Sequence, residues 1–396
     1  MKRFVHICEE FEYMWIGKDN GLLPIYMHEV NGYVGEIWSN NLKKDLPEEV
    51  RGVKFIEVKQ LIPGLRNFAS WTKFVKRIPL YLKLIKEGRD IDILMLFHMT
   101  KSSYWNAYFY KKINPKGKVY VKADFNLEIY KKEMSIIDSK AKNMREFFKK
   151  TRYTSEYRKR RKLASLADHI SYETKEAYEY MKDSYAGVCT KGKTFYLPNG
   201  FDNNLLKEFN IEIKAFEEKE NIMMTVGRLG TKEKNTEMIL KALETLELKD
   251  WKFYFIGPIE ESFQIKIKEF YKENPDKKES VIFTGAIYDR LKLYDYYNRS
   301  KVFVLSSRWE SSAIVLIEAA VFRNFTISTD VGAVKDITND FRYGEEINQE
   351  NSDQLREKIK RIIAKEVQIS KRSTLTNELV KDNFFMEKLI EKLKHF

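Results

Sequence analysis

Cysteine is nearly absent from this sequence: its 396 residues include two, Cys8 and Cys189. Thiols so far apart cannot form a disulfide framework and lack metal-ligand spacing, so a reducing compartment and free thiols are expected. Long apolar runs are missing too. None approaches the ~20 residues that span a bilayer, so no membrane crossing is expected. The opening MKRFVHICEE has a short apolar run that soon meets acids, which reads as a first strand rather than a secretory leader. Histidine is scarce, five in all, and no Ser-His-Asp or Cys-His set emerges. No His, Cys and carboxylate cluster has ligand spacing, and no Asp-x-Asp stands at a strand end, so no metal is expected. Short-period repeats and low-complexity segments are absent as well.

What is present is a globular balance, with 43% hydrophobic and 33% charged residues. The length exceeds one core of usual size, so two domains are expected. Aromatics reach 14%, nearly all of them Tyr and Phe. The formal charge of +13 is unevenly placed. Residues 1–200 carry 38 Lys and Arg against 24 Asp and Glu, an excess of 14, while residues 201–396 carry 33 against 34. Much of the excess lies in residues 131–162, with 13 basic side chains against four acidic. A basic field confined to one half points to an anionic partner for that half: phosphate-bearing lipid, membrane surface or nucleic acid.

Both halves alternate strand-like apolar runs with helix-length segments, the pattern of parallel sheets covered by helices. Strands are predicted at 3–8, 33–38, 53–58, 91–97, 118–122, 169–172 and 193–197, with amphipathic stretches at 68–87 and 138–167. Pro198-Asn199-Gly200-Phe201-Asp202 interrupts the pattern, and an acidic stretch then leads to a fresh strand at 222–226. The expected division is residues 1–204 and 205–396. The second half repeats the alternation at 252–256, 281–285, 301–306 and 325–329, and ends in helical patterns from about 352 and over 374–395. The last helix could return to the N-terminal domain. Ligands of such sheets bind at the carboxyl ends of the strands.

Chemistry concentrates in Ser306-Ser307-Arg308-Trp309-Glu310-Ser311-Ser312-Ala313-Ile314-Val315-Leu316-Ile317-Glu318-Ala319-Ala320. A buried strand should end at Leu305, followed by a polar turn and a helix from about Ser312. Glu310 then stands just before that helix and Glu318 two turns inside it, roughly 12 Å apart at about 1.5 Å per residue. The N–H groups of Ser311, Ser312 and Ala313 would face an anionic diphosphate. Taken alone, the run reads equally well as an N-cap and a solvated glutamate. Upstream, Thr225-Val226-Gly227-Arg228-Leu229 ends a strand and Lys234-Asn235 opens a helix. Gly227 would admit a ligand close to the backbone, and Arg228 and Lys234 could both neutralise one diphosphate. Gly257, Gly285 and Gly332 also fall at strand ends.

In order, Pro198-Asn199-Gly200-x-Asp202, Gly227-Arg228-Leu229…Lys234-Asn235, Gly257, Gly285, Ser306…Glu310-x7-Glu318-Ala319 and Asp330-Val331-Gly332 resemble the C-terminal half of glycosyltransferase family 4. The likeness runs over about residues 165–340 and includes Ala167-Asp168-His169-Ile170. It implies an α/β protein of GT-B fold, two Rossmann-like doubly wound domains facing a central cleft. The N-terminal domain would bind acceptor and the C-terminal domain a nucleotide-sugar. The resemblance also implies a retaining, metal-independent hexosyl- or N-acetylhexosaminyl-transferase of bacterial surface-polysaccharide type. No cofactor is then expected, because the nucleotide-sugar, a UDP-sugar, is a substrate. By the same resemblance Glu310 would contact donor-sugar hydroxyls, Glu318 the ribose, and Arg228 with Lys234 the diphosphate. Gly227, Gly257, Ser311, Ser312 and Ala313 would complete the donor site. Ser311, Ser312 and Ala313 stand where the family often has glycines and an aromatic, and Asn324-Phe325 where Gly-x-Pro is usual. Those departures leave the identity of the sugar open.

The first half resembles the family less closely. Gly17-Lys18-Asp19-Asn20-Gly21 stands where relatives carry a glycine-rich loop near the diphosphate, which makes Gly17 a donor-site candidate. Lys122-Ala123-Asp124 ends a strand where many relatives have a histidine that touches the donor sugar. Lys122, Asp124, His98 at another strand end, and Asn199 are candidates for the acceptor or sugar side. Residues 142–162 (KNMREFFKKTRYTSEYRKRRK) interleave basic and aromatic side chains, as do residues 71–86. Such a run is either a solvated face or a dock for anionic lipid. In a dock, Arg158, Lys159, Arg160 and Arg161 would each add about 1 kcal/mol, with aromatics at the headgroup level. The expected protein is cytoplasmic, peripheral on the inner face of the cell membrane, and acts on a lipid-linked glycan. Three other functions fit parts of the sequence. They are a nucleotide-sugar epimerase of the same fold, a nucleic-acid-binding protein without a recognition motif, and a non-catalytic glycan-binding relative.

Overall fold

The computed structural model describes residues 1–396 except 44, 60 and 62–69, and except the side chains of 70, 71, 73 and 74. The first residues of the predicted stretch 68–87, and several side chains of the run 71–86, therefore lie outside the described residues. The chain forms two compact units, Met1–Asp202 with Met386–Phe396, and Asn203–Phe385.

In the first unit the apolar runs become strands β1 (Arg3–Cys8), β2 (Val34–Ser39), β3 (Glu49–Val50), β4 (Val53–Glu57) and β5 (Ile93–Phe97). They continue with β6 (Lys118–Lys122), β7 (His169–Tyr172), β8 (Ser184–Tyr185), β9 (Val188–Cys189) and β10 (Thr194–Tyr196). One sheet has the order β10-β7-β6-β5-β1-β2-β4-β3, and β8 with β9 forms a separate hairpin. Every pairing in the large sheet is parallel except β3 on β4. Central parallel strands are covered on both faces, which is why β5 reads as the unbroken run ILMLF. On one face Leu94, Leu96, Val119 and Val121 pack under helices Lys101–Ile113 and Met144–Leu166. On the other, Phe4, Ile37 and Met95 pack against helix Asp19–Glu29 and the short helix Met386–Glu391. Gly200 makes room for that last helix, because a Cβ there would lie 2.1 Å from Met386 Sδ.

The second unit is wound in the same way. Its strands are β11 (Glu220–Val226), β12 (Lys252–Ile256), β13 (Val281–Gly285), β14 (Ser300–Leu305), β15 (Phe325–Thr329) and β16 (Glu345–Ile347). All are parallel, in the order β13-β12-β11-β14-β15-β16. The order reverses between β11 and β14, so the turns leaving those two strands share one crevice.

Two helical expectations change. Residues 138–167 do not form one helix: Leu127–Asp138 stops at an extended Ser139, and Met144–Leu166 starts afresh. Asn143 caps the new start by accepting the N–H of Glu146, and such a cap satisfies a donor that the helix itself cannot. The tail pattern 374–395 is likewise split, with Ile369–Phe384 ending at an extended Phe385 before Met386–Glu391.

Candidate functional site

The crevice of the second unit is built from turns laid on one another. Gly227, just after β11, donates its N–H to Ile256 O at 3.0 Å, and Gly257 donates to Gly285 O at 2.9 Å. Gly257 has φ +141, and a Cβ on it would lie 1.8 Å from Gly227 O. Only glycine fits there. After β14, Ser306 Oγ donates to the carbonyls of Lys234 and Asn235 at 3.0 and 2.9 Å. Arg308 N–H donates to Glu233 O at 2.7 Å. These bonds hold the turn around residues 306–313 against the segment 228–235.

At that junction the Lys234 ammonium lies 2.6 Å from Glu310 Oε1. The Ser307 hydroxyl donates to the same oxygen, also at 2.6 Å. The two charged side chains are 17% and 13% exposed, shielded from salt yet open to a ligand. Gly227 flanks them, since its Cβ would sit 3.4 Å from Lys234 Cε. Gly332, at φ +57, closes the other side 3.1 Å from Glu310 Cβ by the same construction. Arg228 is 64% exposed and pairs with Glu233. Burial works to raise the Glu233 carboxyl, but a hydrogen bond from its own backbone and the Arg228 charge hold it below the usual range.

Glu318 has a different set of neighbours. Its side chain is 5% exposed and takes Arg290 Nη1 at 2.7 Å and the Tyr297 hydroxyl at 3.1 Å. Burial opposes the Arg290 charge, but Glu318 outweighs it and raises the guanidinium above its ordinary value. Burial and the Glu318 charge together push the Tyr297 hydroxyl well up, so it remains a donor. Arg290 and Tyr297 thus hold the carboxylate at both of its oxygens and orient it.

The helix after the turn begins at Ile314 rather than Ser312. Ala313 takes a left-handed conformation, φ 58 and ψ 70, so Ser311, Ser312 and Ala313 form the turn that precedes the helix. Ser312 is buried, and its Oγ has no hydrogen-bond partner among the described residues.

In the first unit the structure separates the candidates. Lys122 is not open at a strand end. Its ammonium is fully buried, 2.8 Å from Asp19 Oδ2, 3.4 Å from Glu173 Oε1 and 2.9 Å from Leu197 O. Two buried carboxylates and a carbonyl occupy the cation, which makes it an internal strut. Burial alone would lower its pKa; Asp19 and Glu173 raise it instead. Glu173 also accepts the N–H groups of Asp124 and Phe125 at 2.7 and 2.9 Å. That fixes the loop on which Asp124, at φ +42, stands 3.5 Å from the half-exposed His98. Asn199 is buried, with Oδ1 unpartnered among the described residues. Gly17 lies in a short turn, not an open glycine loop, because helix Asp19–Glu29 starts two residues later. The glycine that turn requires is Gly21, whose Cβ would lie 2.4 Å from Ile16 O.

The four consecutive cations of helix Met144–Leu166 do not share one face. Arg160 turns inward to Glu133, and Lys159 sits 4.5 Å above the Trp105 ring. Arg158 and Arg161 are exposed. A rotation of about 100° per residue forces this division.

Arg290, Tyr297, Asp19 and Glu173 were not singled out as site residues from the sequence. Each acts across a gap of 21 to more than 100 positions, so no local spacing marks it. Among the described residues no group of three or more His, Cys, Asp or Glu is placed to hold a metal ion. No described helix is long and apolar enough to cross a membrane.

Residues 207–379, which contain the whole crevice of the second unit, match the family model "Glycosyl transferases group 1". An uncharacterised 41.2 kDa protein in the cps region of Klebsiella pneumoniae is 27% identical over 183 residues, 45% of this chain and 48% of that protein. The amylovoran biosynthesis glycosyltransferase AmsD of Erwinia amylovora is 27% identical over 176 residues, 38% of this chain and 47% of that one. The chain thus matches about half the length of these curated relatives. Among solved structures, Anabaena HepE in complex with UDP and glucose superposes with a TM-score of 0.68 at 12% identity, covering 100% of this chain and 99% of that one. Residues 207–379 belong to the group 1 glycosyltransferases, glycosyltransferase family 4, and the chain as a whole has the GT-B fold.

Proposed function

We propose that this chain is a retaining glycosyltransferase that moves a sugar from a UDP-sugar to a lipid-linked glycan in cell-surface polysaccharide synthesis. The observation that carries the reading is the Lys234–Glu310 pair, set between Gly227 and Gly332 where β11 and β14 end. The second unit would hold the donor and the first unit the acceptor. Glu318, oriented by Arg290 and Tyr297, would accept the ribose hydroxyls. Lys234 would leave Glu310 for the diphosphate, and Arg228 would turn from Glu233 to the same group. Glu310, so released, would accept hydroxyls of the donor sugar. As the bond from C1 to the β-phosphate oxygen breaks, charge grows on the diphosphate, and the two cations stabilise it. The acceptor hydroxyl forms its bond to C1 on the same face and passes its proton to the departing phosphate. Configuration is retained, UDP leaves, and no protein nucleophile is needed.

The choice of UDP is supported by HepE, which was solved with UDP and glucose. Surface polysaccharide is supported by the cps-region and amylovoran relatives. A membrane-held acceptor is supported by the excess of 14 positive charges in residues 1–200. The test is release of UDP from a panel of UDP-sugars, with and without a lipid extract of polysaccharide-producing cells. Release that depends on the extract is expected. Release of UDP at the same rate without acceptor, or from no donor in the panel, refutes the transfer.

A further inference from the structure

Helix Arg290–Arg299 carries both groups that hold Glu318, Arg290 at its start and Tyr297 near its end. The last carbonyls of a helix find no partner inside it. Here a lysine takes them. Lys219, just before β11, is buried, and its ammonium donates to Tyr297 O at 3.2 Å, Asn298 O at 2.8 Å and Ser300 O at 3.0 Å. Those bonds use every donor an ammonium has, and a cation suits the negative end of the helix dipole.

Asn324, fully buried ahead of β15, adds a second hold. Its side-chain amide donates to two of the same carbonyls, Tyr297 O at 2.8 Å and Ser300 O. Its backbone N–H donates to Ala319 O at 2.8 Å, in helix Ile314–Val321, which bears Glu318. Phe322, where that helix ends, stacks on the Tyr297 ring with centroids 5.9 Å apart. The two helices whose side chains meet at Glu318 are therefore pinned together at their carboxyl ends. Tyr297 belongs to both contacts, since its carbonyl lies in the clamp while its hydroxyl reaches Glu318 at 3.1 Å.

No carboxylate pairs with Lys219 among the described residues. Burial, with the charges of Lys214, Arg323 and Lys301, brings its pKa down to about 7. Carboxylates on the neighbouring elements are engaged elsewhere: Glu217 with Ser370, Glu218 with the Ala215 N–H, and Glu220 and Asp295 with Arg299. Above that pH the group is an amine with two N–H bonds for three carbonyls, and the helix end has lost its cation.

We propose that Lys219 and Asn324 are positioning residues for the donor site: by clamping the end of helix Arg290–Arg299 they place Tyr297, and through it the Glu318 carboxylate. That Glu318 meets the ribose rests on the function proposed above; the clamp itself does not. Because the clamp is fully made only while Lys219 is charged, donor affinity is greatest below a pH of about 7 and declines above it.

The first test is calorimetry of the full chain with UDP-glucose at about pH 6 and about pH 8.5, either side of the Lys219 pKa. Neither phosphate of this probe has the second ionisation, near pH ~6, of a terminal phosphate, so the probe itself stays constant. The wild type should bind more weakly at the higher pH, by roughly twofold to thirtyfold, the range for residues that act on a site from outside it. Lys219→Met should bind weakly at both values, and in a Glu318→Ala background it should cost nothing further, because the two act along one line. Asn324→Ala should weaken binding at both values and keep the pH dependence. The second test is hydrogen exchange without nucleotide. Protection of residues 290–300, corrected for the intrinsic rise of exchange with pH, should fall between the two values in the wild type and be low at both in Lys219→Met. Should Lys219→Met fail to fold, the wild type and Asn324→Ala still decide. Measurable affinity that is equal at both values, protection that does not change, or a Lys219→Met variant that keeps the pH dependence overturns the clamp. Protection that falls as expected in a chain that binds no UDP-glucose sinks the proposed function and leaves the clamp on Tyr297 standing.

Discussion

Glu310 is held at one oxygen by both Lys234 and Ser307, whereas Glu318 is held at its two oxygens by Arg290 and Tyr297. The two carboxylates should therefore fail differently. Glu310→Ala frees Lys234 for a diphosphate, so free UDP should bind as well as before while discrimination among UDP-sugars is lost. Glu318→Ala should weaken UDP and UDP-sugar alike, by about 1–3 kcal/mol for a lost charged hydrogen bond, read by calorimetry. Lys234→Ala should lower turnover by about 10²-fold or more, the scale of losing leaving-group stabilisation, and a strong chelator should leave wild-type turnover unchanged. Loss of turnover in chelator, restored by magnesium or manganese, would contradict the role given to the two cations. Ala313 carries a cost of its own. A left-handed alanine is strained by roughly 1–2 kcal/mol, so Ala313→Gly should raise the urea midpoint, corresponding to about 0.5–1 kcal/mol. At this scale the sequence marked Lys234 and Glu310 in turns that follow strand ends and Glu318 inside the next helix, all three in one ordered run. It misplaced Lys122, because nothing local reveals that Asp19, 103 positions earlier, would meet its ammonium inside the fold.

Strand ends decide which glycines matter. Gly257 and Gly285 both have positive φ, at 141 and 72, but their surroundings differ. A Cβ on Gly257 strikes the Gly227 carbonyl, while one on Gly285 meets nothing within 4 Å. Gly257→Ala should thus cost several times the roughly 1 kcal/mol expected for Gly285→Ala at an open left-handed site, measured as the shift in the urea midpoint. Equal shifts would show that the crossing of the two turns is not constrained as described. The strands were legible because buried parallel strands leave continuous apolar runs, as in ILMLF at 93–97 and VFVL at 302–305. Helix ends were less so. The break between Leu127–Asp138 and Met144–Leu166 hangs on one asparagine cap, a signal that the dense basic-aromatic pattern around it obscures.

Across the molecule, the buried groups set how stability follows pH. His6 on β1 is fully buried, its Nδ1 3.3 Å from Met95 O and its Nε2 without a partner among the described residues. Burial pushes its pKa down to about 4, against about 6.5 in an unfolded chain. Between those values the unfolded state binds the extra proton, so stability is intact above pH ~6.5 and falls by about 1.4 kcal/mol per unit as the pH drops toward ~4. His6→Gln should flatten that limb in urea titrations taken at successive pH. An unchanged slope would assign the acid limb to other groups. The α/β class was open to the sequence because alternation of strand and helix implies a parallel sheet, and the doubly wound order followed from the family resemblance. The neighbours that hold Glu318 and Asp124 in place were not open to it, because they come together only when the sheets form. Calorimetric titration of a panel of UDP-sugars into the full chain, beside Glu310→Ala and Glu318→Ala, is the most direct measurement of the donor site. One UDP-sugar should bind the wild type in preference to the others, Glu310→Ala should lose that preference while keeping UDP, and Glu318→Ala should lose affinity for both. Two variants that bind UDP and UDP-sugar as the wild type does would place the donor elsewhere.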